Sequence, residues 1–135
     1  MKRIAIIVEK NQSIGAVGNI SAVLLGQASQ IVPELFSNVP VLDKNGIRHT
    51  GIQYSTVILK AGQGQLLNLA NQIKESYKEV SCVVFSEIGQ NLHNRFAEYQ
   101  QLISSSITED TKIVGAIVVG DEEIIKPLTK KFSLL

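Results

Sequence analysis

The sequence predicts an α/β layer fold of about four core strands plus a small hairpin. Three observations predict it. Short apolar runs rich in β-branched residues recur along the chain, the pattern of strands buried on both faces. Between them, apolar residues repeat at the period of an amphipathic helix. Polar or Gly/Pro-containing stretches separate the two kinds of segment. No repeat, low-complexity tract or linker divides the 135 residues, so a single domain is expected over 1–135.

Ile4 to Val8 reads as the first strand. Glu9-Lys10-Asn11-Gln12-Ser13 closes it and offers N-cap residues for a helix. From about Ile14 to Gln30, Val17, Ile20, Leu24 and Ala28 recur at helical spacing, while Gly18, Ala22 and Gly26 form a small-residue stripe. A glycine in a helix costs about 1 kcal/mol relative to alanine. The stripe therefore predicts close approach of this helix to a sheet or to a partner's backbone. Pro33 stops the helix. Val39 to His49 reads as a hairpin, because Asn45-Gly46 supplies the positive φ values of a tight turn. Pro40 has no N–H and so places its strand at an edge.

Ser55 to Lys60 is the next strand, broken by Gly62-Gln63-Gly64. Gln65 to Lys78 then resumes helical spacing through Leu66, Leu69, Ala70 and Ile73. Val80 to Phe85 is a third buried strand. Glu87 to Ile103 reads as one helix with Leu92, Phe96, Tyr99 and Ile103 on one face, and Ser104 to Thr111 as a polar loop. Tyr99 is expected to pack its ring in the core with its hydroxyl near the surface. Lys112 to Gly120 is the last core strand. Asp121-Glu122-Glu123 suit the first turn of a short helix, where the dipole favours acids. Pro127 ends or interrupts that helix unless it falls in the first turn.

Composition narrows the function classes. The formal charge is +1, with acids and bases interspersed, so there is no basic stripe and nucleic acid is not an expected partner. No apolar run reaches the roughly 20 residues of a membrane span, and the apolar start is cut short by Glu9-Lys10-Asn11-Gln12 before it resembles a signal peptide. A single cysteine, Cys82, excludes a disulfide framework and suits a reducing, cytoplasmic setting. Its apolar neighbours would raise the thiol's pKa, so core packing is the better account of it.

Catalytic signatures are absent. Gly15-Ala16-Val17-Gly18 opens a helix after a strand, but has neither the G-x-G-x-x-G spacing nor the G-K-[S/T] ending of a phosphate loop. His49 and His93 are far apart and lack clustered cysteines, so no metal and no cofactor are expected. Ser86, Cys82, His49 and His93, with Glu87 or Glu98 as orienting acids, complete the inventory for nucleophilic catalysis, and no G-x-S-x-G elbow joins them. Ser86-Glu87, just past the end of a strand, suits a site in an α/β sheet and equally suits a helix N-cap.

Several local patterns resemble one known family. They are Gly15 to Gly26, Asp43 to Ile52 followed by Val57 to Ala61, Phe85 to Gln90 with Tyr99, and the ending Ile125 to Leu135. Together they are similar to the uncharacterised proteins of domain of unknown function two thousand over nearly the whole chain. Lys130 stands where that family usually has a glycine. The resemblance implies a fold like that of type two peptidyl-tRNA hydrolase, with a mixed central sheet and helices on both faces. The hydrolase's catalytic residues do not carry over. Its G-K-G-K loop is replaced by Ile14-Gly15-Ala16-Val17-Gly18, and its D-A-G-x-T segment has no counterpart at Val84 to Gly89. Its G-P-G turn becomes Val118-Val119-Gly120-Asp121.

The expectation is thus a non-hydrolytic protein of this fold that binds a small molecule or a protein partner. The candidate ligand-binding residues are Asn19, His49, Lys60, Ser86 and Gln90, which fall in the family-like segments. Catalytic residues are not assigned. One alternative is peptidyl-tRNA hydrolysis with a rearranged site using Lys60 or His49. Another is a structural module that self-associates into a homo-oligomer through the Gly18/Ala22/Gly26 stripe.

Overall fold

The apolar runs become strands in a computed structural model of the chain, which describes residues 1–92 and 94–135. His93, considered above as a ligand or base, lies outside the described residues. In chain order the elements are β1 (Lys2–Glu9), α1 (Ile14–Ile31), a 3-10 turn (Pro33–Leu35), β2 (Val41–Leu42), β3 (Arg48–His49), β4 (Ser55–Ala61) and α2 (Gln63–Ser76). There follow β5 (Ser81–Ser86), α3 (Glu87–Asn91), α4 (Phe96–Ser104), α5 (Thr108–Thr111), β6 (Ile113–Asp121), α6 (Glu122–Thr129) and β7 (Ser133–Leu134).

Five strands form one mixed sheet in the order β5-β6-β1-β4-β7, and β2 with β3 forms the separate hairpin. β1 is parallel to β4 and antiparallel to β6, and β6 is antiparallel to β5. β5 therefore points the same way as β1 and β4. The fifth strand, β7, extends the four expected ones by pairing Ser133 with Lys60 and Leu134 with Leu59.

Helices cover both faces. α1 buries Ile20, Leu24 and Ala28 against Ile4, Ile6, Val8, Ile117 and Val119. On the opposite face, α2 buries Leu66, Leu69 and Ile73, and α6 buries Ile125 and Leu128, against Ala5, Ile7, Leu59, Ala116 and Val118. β1 and β6 contribute to both clusters, which is why they read as continuous apolar runs rather than alternating ones.

A register shift marks the start of β6. Phe85 pairs with Gly115 but Ser86 pairs with Ile113, leaving Val114 as the extra residue of a bulge. The side-chain alternation changes phase there: Ile113 and Ala116 face α2, while Val114 and Ile117 face α1.

Several expectations are corrected. The small-residue stripe of α1 does not approach the sheet: Gly18, Ala22 and Gly26 are exposed, and a Cβ added at Gly18 or Gly26 would meet nothing within 4 Å. The close approach is made by the strand instead. A Cβ at Gly115 would lie 2.6 Å from Ile20 Cγ2 and 3.3 Å from the Ile7 carbonyl oxygen. The single helix expected over Glu87 to Ile103 is two, α3 and α4. Asn94 between them takes φ 60°, a left-handed conformation that asparagine tolerates and a helix interior does not. The polar loop Ser104 to Thr111 contains the short helix α5.

Pro127 lies inside α6 rather than ending it. The helix continues only to Thr129, and its last turn tightens, with the Lys130 N–H reaching the Pro127 carbonyl. Burial of Ile125, Leu128 and Thr129 holds this short element against the sheet. By length and composition alone α1 could cross a membrane, with 18 residues at a mean hydropathy of 1.2. Here it lies along the sheet.

Candidate functional site

The carboxyl ends of β1, β4 and β5 lie at one end of the sheet, and each leads directly into a helix. Ligands of open α/β sheets bind at this end, outside the strand termini. The helix starts are internally satisfied. Ser13 Oγ accepts the Ala16 N–H at 3.3 Å, Gln65 Oε1 accepts the Gly62 N–H at 2.9 Å, and Ser86 Oγ accepts the Gly89 N–H at 3.3 Å. Ser86 is thus an N-cap, 4% exposed. Beside them the Glu9 carboxylate accepts the Asn11 N–H at 3.0 Å and a Gln12 side-chain N–H at 3.3 Å.

The five candidate ligand-binding residues fall into three groups. Ser86 ends β5 and Gln90 lies in α3, while Asn19 is exposed on α1 one turn before Val23. Lys60 is exposed on β4, separated from β5 by β1 and β6. At roughly 4.8 Å per strand this puts the two backbones about 14 Å apart. His49 stands on the exposed hairpin, its Nε2 2.9 Å from Asp43 Oδ2. That contact, with the Ile47 and Asn45 N–H groups, holds the Asp43 carboxyl below its ordinary value of 3.8. Asp43 also shapes the turn itself by accepting the Asn45 and Ile47 N–H groups.

A cleft of about 380 Å³ opens on the α1 face of β5. Val23, Leu24 and Gln27 of α1 form one wall, Val83 to Phe85 the floor, and Leu92, Asn94, Phe96 and Tyr99 the other wall. Each wall has a sequence reason. Val23 and Gln27 lie on the side of α1 next to its buried Leu24 stripe, so they overhang β5. Phe96 and Tyr99 share a face of α4 with ring centroids 6.2 Å apart. Gly89 lies between the cleft's aromatic rings. A Cβ there would come within 2.8 Å of Phe85 Cε1 and 3.3 Å of Tyr99 Cε1, so glycine keeps both rings in place.

The chemistry of this cleft is that of a neutral binding pocket. Among the described residues, none that line it is charged, and their polar groups are the Gln27 and Asn94 amides and the Tyr99 hydroxyl. Phe96 is 69% exposed rather than core-facing, so its ring is available at the rim. Cys82 lies on the other face of β5, and burial pushes its thiol up to about 11, far from an activated nucleophile. Among the described residues no group of three His, Cys, Asp or Glu side chains is placed to hold a metal ion.

The cleft was hidden from sequence reasoning because its walls come from segments some 70 positions apart, by the numbering of Val23 and Phe96. The spacing of Phe96 and Tyr99 pointed to a core face. The available signal was the company they keep, since Asn94, Arg95 and Glu98 surround them with polar residues.

Comparison with known proteins supports the fold. A solved structure of a protein of unknown function, Atu0240, from Agrobacterium tumefaciens strain C58, superposes with a TM-score of 0.85. It is 19% identical, and the match covers 99% of this chain and 97% of that one. No curated protein matches the sequence. The family model described as protein of unknown function (DUF2000) matches residues 2–135. This chain therefore belongs to the DUF2000 family.

Proposed function

We propose that this protein is a non-hydrolytic binding domain that holds a small, neutral, largely apolar ligand in the cleft between α1, β5 and α4. The observation that carries the reading is the cleft itself, about 380 Å³ and lined, among the described residues, by no charged side chain. Small-molecule sites are concave, mostly apolar and fitted with a few polar groups that orient the ligand. A charged ligand would lose its hydration there without gaining a counter-charge. Gln27, Asn94 and Tyr99 supply donors and acceptors suited to a carbonyl or hydroxyl. Asn19, Ser86 and Gln90 are assigned to the border of this site, towards the carboxyl end of β5.

The test is fluorescence titration with a neutral apolar dye, N-phenyl-1-naphthylamine, against its anionic counterpart anilinonaphthalene sulfonate. The neutral dye is expected to bind more tightly, and Tyr99→Ala is expected to weaken it about tenfold, the loss of one well-placed contact. Failure of the neutral dye to bind, or binding indifferent to Tyr99→Ala and Phe96→Ala, would sink the reading.

The likeness to type two peptidyl-tRNA hydrolase is part of the same proposal, and it rests on the strand–helix opening and the C-terminal ending of the sequence. A hydrolysis assay with Lys60→Ala and His49→Ala as controls separates the two readings. Cleavage of peptidyl-tRNA that either substitution abolishes would replace the binding domain with a hydrolase of rearranged site.

A further inference from the structure

Aromatic side chains are scarce in this chain, at 5% of its residues, yet three of the eleven described residues lining the cleft are aromatic. Phe85 lies on the floor, and Phe96 and Tyr99 stand on the α4 wall. The fold buries none of the three. Phe96 is the extreme case at 69% exposed, although a phenyl ring gains more from burial than most side chains do. Core packing therefore does not account for its place on α4. The rings form one patch. Phe85 and Tyr99 close up across Gly89, where a Cβ would press on both, and Tyr99 continues to Phe96 with the two ring planes tilted by 45°.

Aromatic cages that hold cations surround them with rings. Here the rings take the floor and one wall, and the wall opposite is the aliphatic Val23 of α1, 47% exposed. An aromatic face with an aliphatic side chain across from it makes a slot for something flat. Asn94 adds an edge to that slot. At φ 60° glycine would be the unstrained residue, and asparagine is tolerated. What asparagine brings beyond that backbone is a carboxamide, which lines the cleft two residues before Phe96. It presents a donor and an acceptor side by side. Gln27, the other lining amide, already donates from Nε2 to Gln30 Oε1 at 2.8 Å.

We propose that the ligand of this cleft is a flat, uncharged heteroaromatic lactam, stacked on the open face of Phe96 and paired along its edge with the Asn94 amide. The inference rests on the reading of the cleft as a binding site and adds a shape and an edge to it. A lactam carries its N–H and C=O next to each other, the complement of a carboxamide, so the pair makes two hydrogen bonds. The tilt of Tyr99 sets its ring against the edge of a ligand that lies parallel to Phe96. Val23 covers the ligand's other face. An aliphatic ligand would gain only contact area from Phe96, which leucine would supply as well; a flat ring gains the directional stacking besides.

NMR titration of the full chain with three neutral probes tests this: quinolin-2-one, its N-methyl derivative and its decahydro analogue. Quinolin-2-one is expected to bind about threefold to tenfold tighter than the decahydro lactam, which keeps the edge and loses the flat face. It should exceed the N-methyl compound by about the same factor, since methylation removes the edge donor. Phe96→Leu, which keeps an apolar side chain, should erase the first preference and spare the second. Asn94→Gly, which keeps the left-handed backbone, should erase the second and spare the first. In the wild type, the Val23 methyl signals should move upfield with quinolin-2-one and stay put with its saturated analogue, because only the aromatic ring carries a ring current. Equal binding of flat and saturated lactams, alongside binding of N-phenyl-1-naphthylamine, would overturn the inference and leave the cleft a site for apolar ligands of another shape. So would preferences that Phe96→Leu and Asn94→Gly leave intact. If neither the dye nor any lactam binds, the reading of the cleft falls and the inference falls with it.

Discussion

β1, β6 and β5 all read in the sequence as apolar runs with β-branched residues, yet β5 sits in the opposite circumstances to the other two. Every residue of Ile4–Val8 and Ile113–Gly120 is buried, with a strand on each side and a helix on each face. In β5 only Ser86 is buried, and its apolar side chains line hollows instead of filling a core. Valine and isoleucine stabilise a fold where both faces are covered. Where they are not, the same side chains are left lining open grooves. The centre and the rim should therefore answer differently to substitution.

The largest effect belongs to the centre. Ile117 is 1% exposed beneath α1, and Ile117→Ala should cost about 2–5 kcal/mol in denaturant unfolding through lost burial and a cavity. A cost below about 1 kcal/mol would show that the core relaxes around it and would weaken the contrast. Gly115→Val at the same face should cost about 1–3 kcal/mol by overpacking against Ile20.

Cys82, on the α2 face of β5, offers a pH probe of how well the rim is desolvated. Its thiol is pushed up to about 11 in the fold from an ordinary 9.0. A group whose folded pKa is raised contributes its full stability below the unfolded value and loses it as pH rises through the folded one. Stability should therefore fall by roughly 3 kcal/mol between those two pH values, two units at about 1.4 kcal/mol each. Cys82→Ser unfolding should lack this component, and a parallel decline in that variant would assign it to other groups. Thiol reagents should also react slowly with Cys82 at neutral pH.

At the cleft the prediction is a separation of effects. Phe96→Ser should change unfolding stability by about 0.5 kcal/mol or less, because the ring is exposed. The same substitution should weaken the neutral dye about tenfold. If stability falls with affinity, Phe96 belongs to the core and the cleft is a packing defect. The smallest effect is expected at the hairpin. His49 keeps the Asp43 carboxyl low, so its contribution is present above pH 3.8 and lost as pH falls through the lowered folded value. Asp43→Asn should remove that acid-side transition from the chemical shifts of Asn45 and Ile47 and leave the main unfolding midpoint unchanged.

The central strands were legible because burial on both faces leaves an unmistakable run, as in Ile113 to Val119. The hairpin was legible in part: Gly46 takes φ 80°, but Asn45 does not share the positive φ, and the loop runs from Asp43 to Ile47, whose carbonyl accepts the Asp43 N–H. The connection from β5 to β6 was not. Leu92, Phe96, Tyr99 and Ile103 keep helical spacing straight across the break at Asn94, so periodicity runs over a joint that backbone dihedrals make. The sheet half of the α1 stripe reading failed for the converse reason. Gly18, Ala22 and Gly26 announce a close approach, but sequence does not say which side of a helix the sheet occupies. Of the candidate residues, Ser86 was legible as a cap. The cleft was not, because only tertiary packing brings Val23 to Phe96.

The bulge at Val114 has a consequence for how this scaffold tolerates change. Downstream of it, Gly115 to Gly120 are locked in phase with β1. Upstream, Ile113 and the connection back to Ser86 keep a phase of their own. Val114 works as a slip joint between a rigid sheet and the 26 or so residues that carry one wall of the cleft. That wall can be lengthened, shortened or exchanged between Glu87 and Lys112 without turning the core side chains of β6 inside out, which makes this connection the natural place to reshape the cleft.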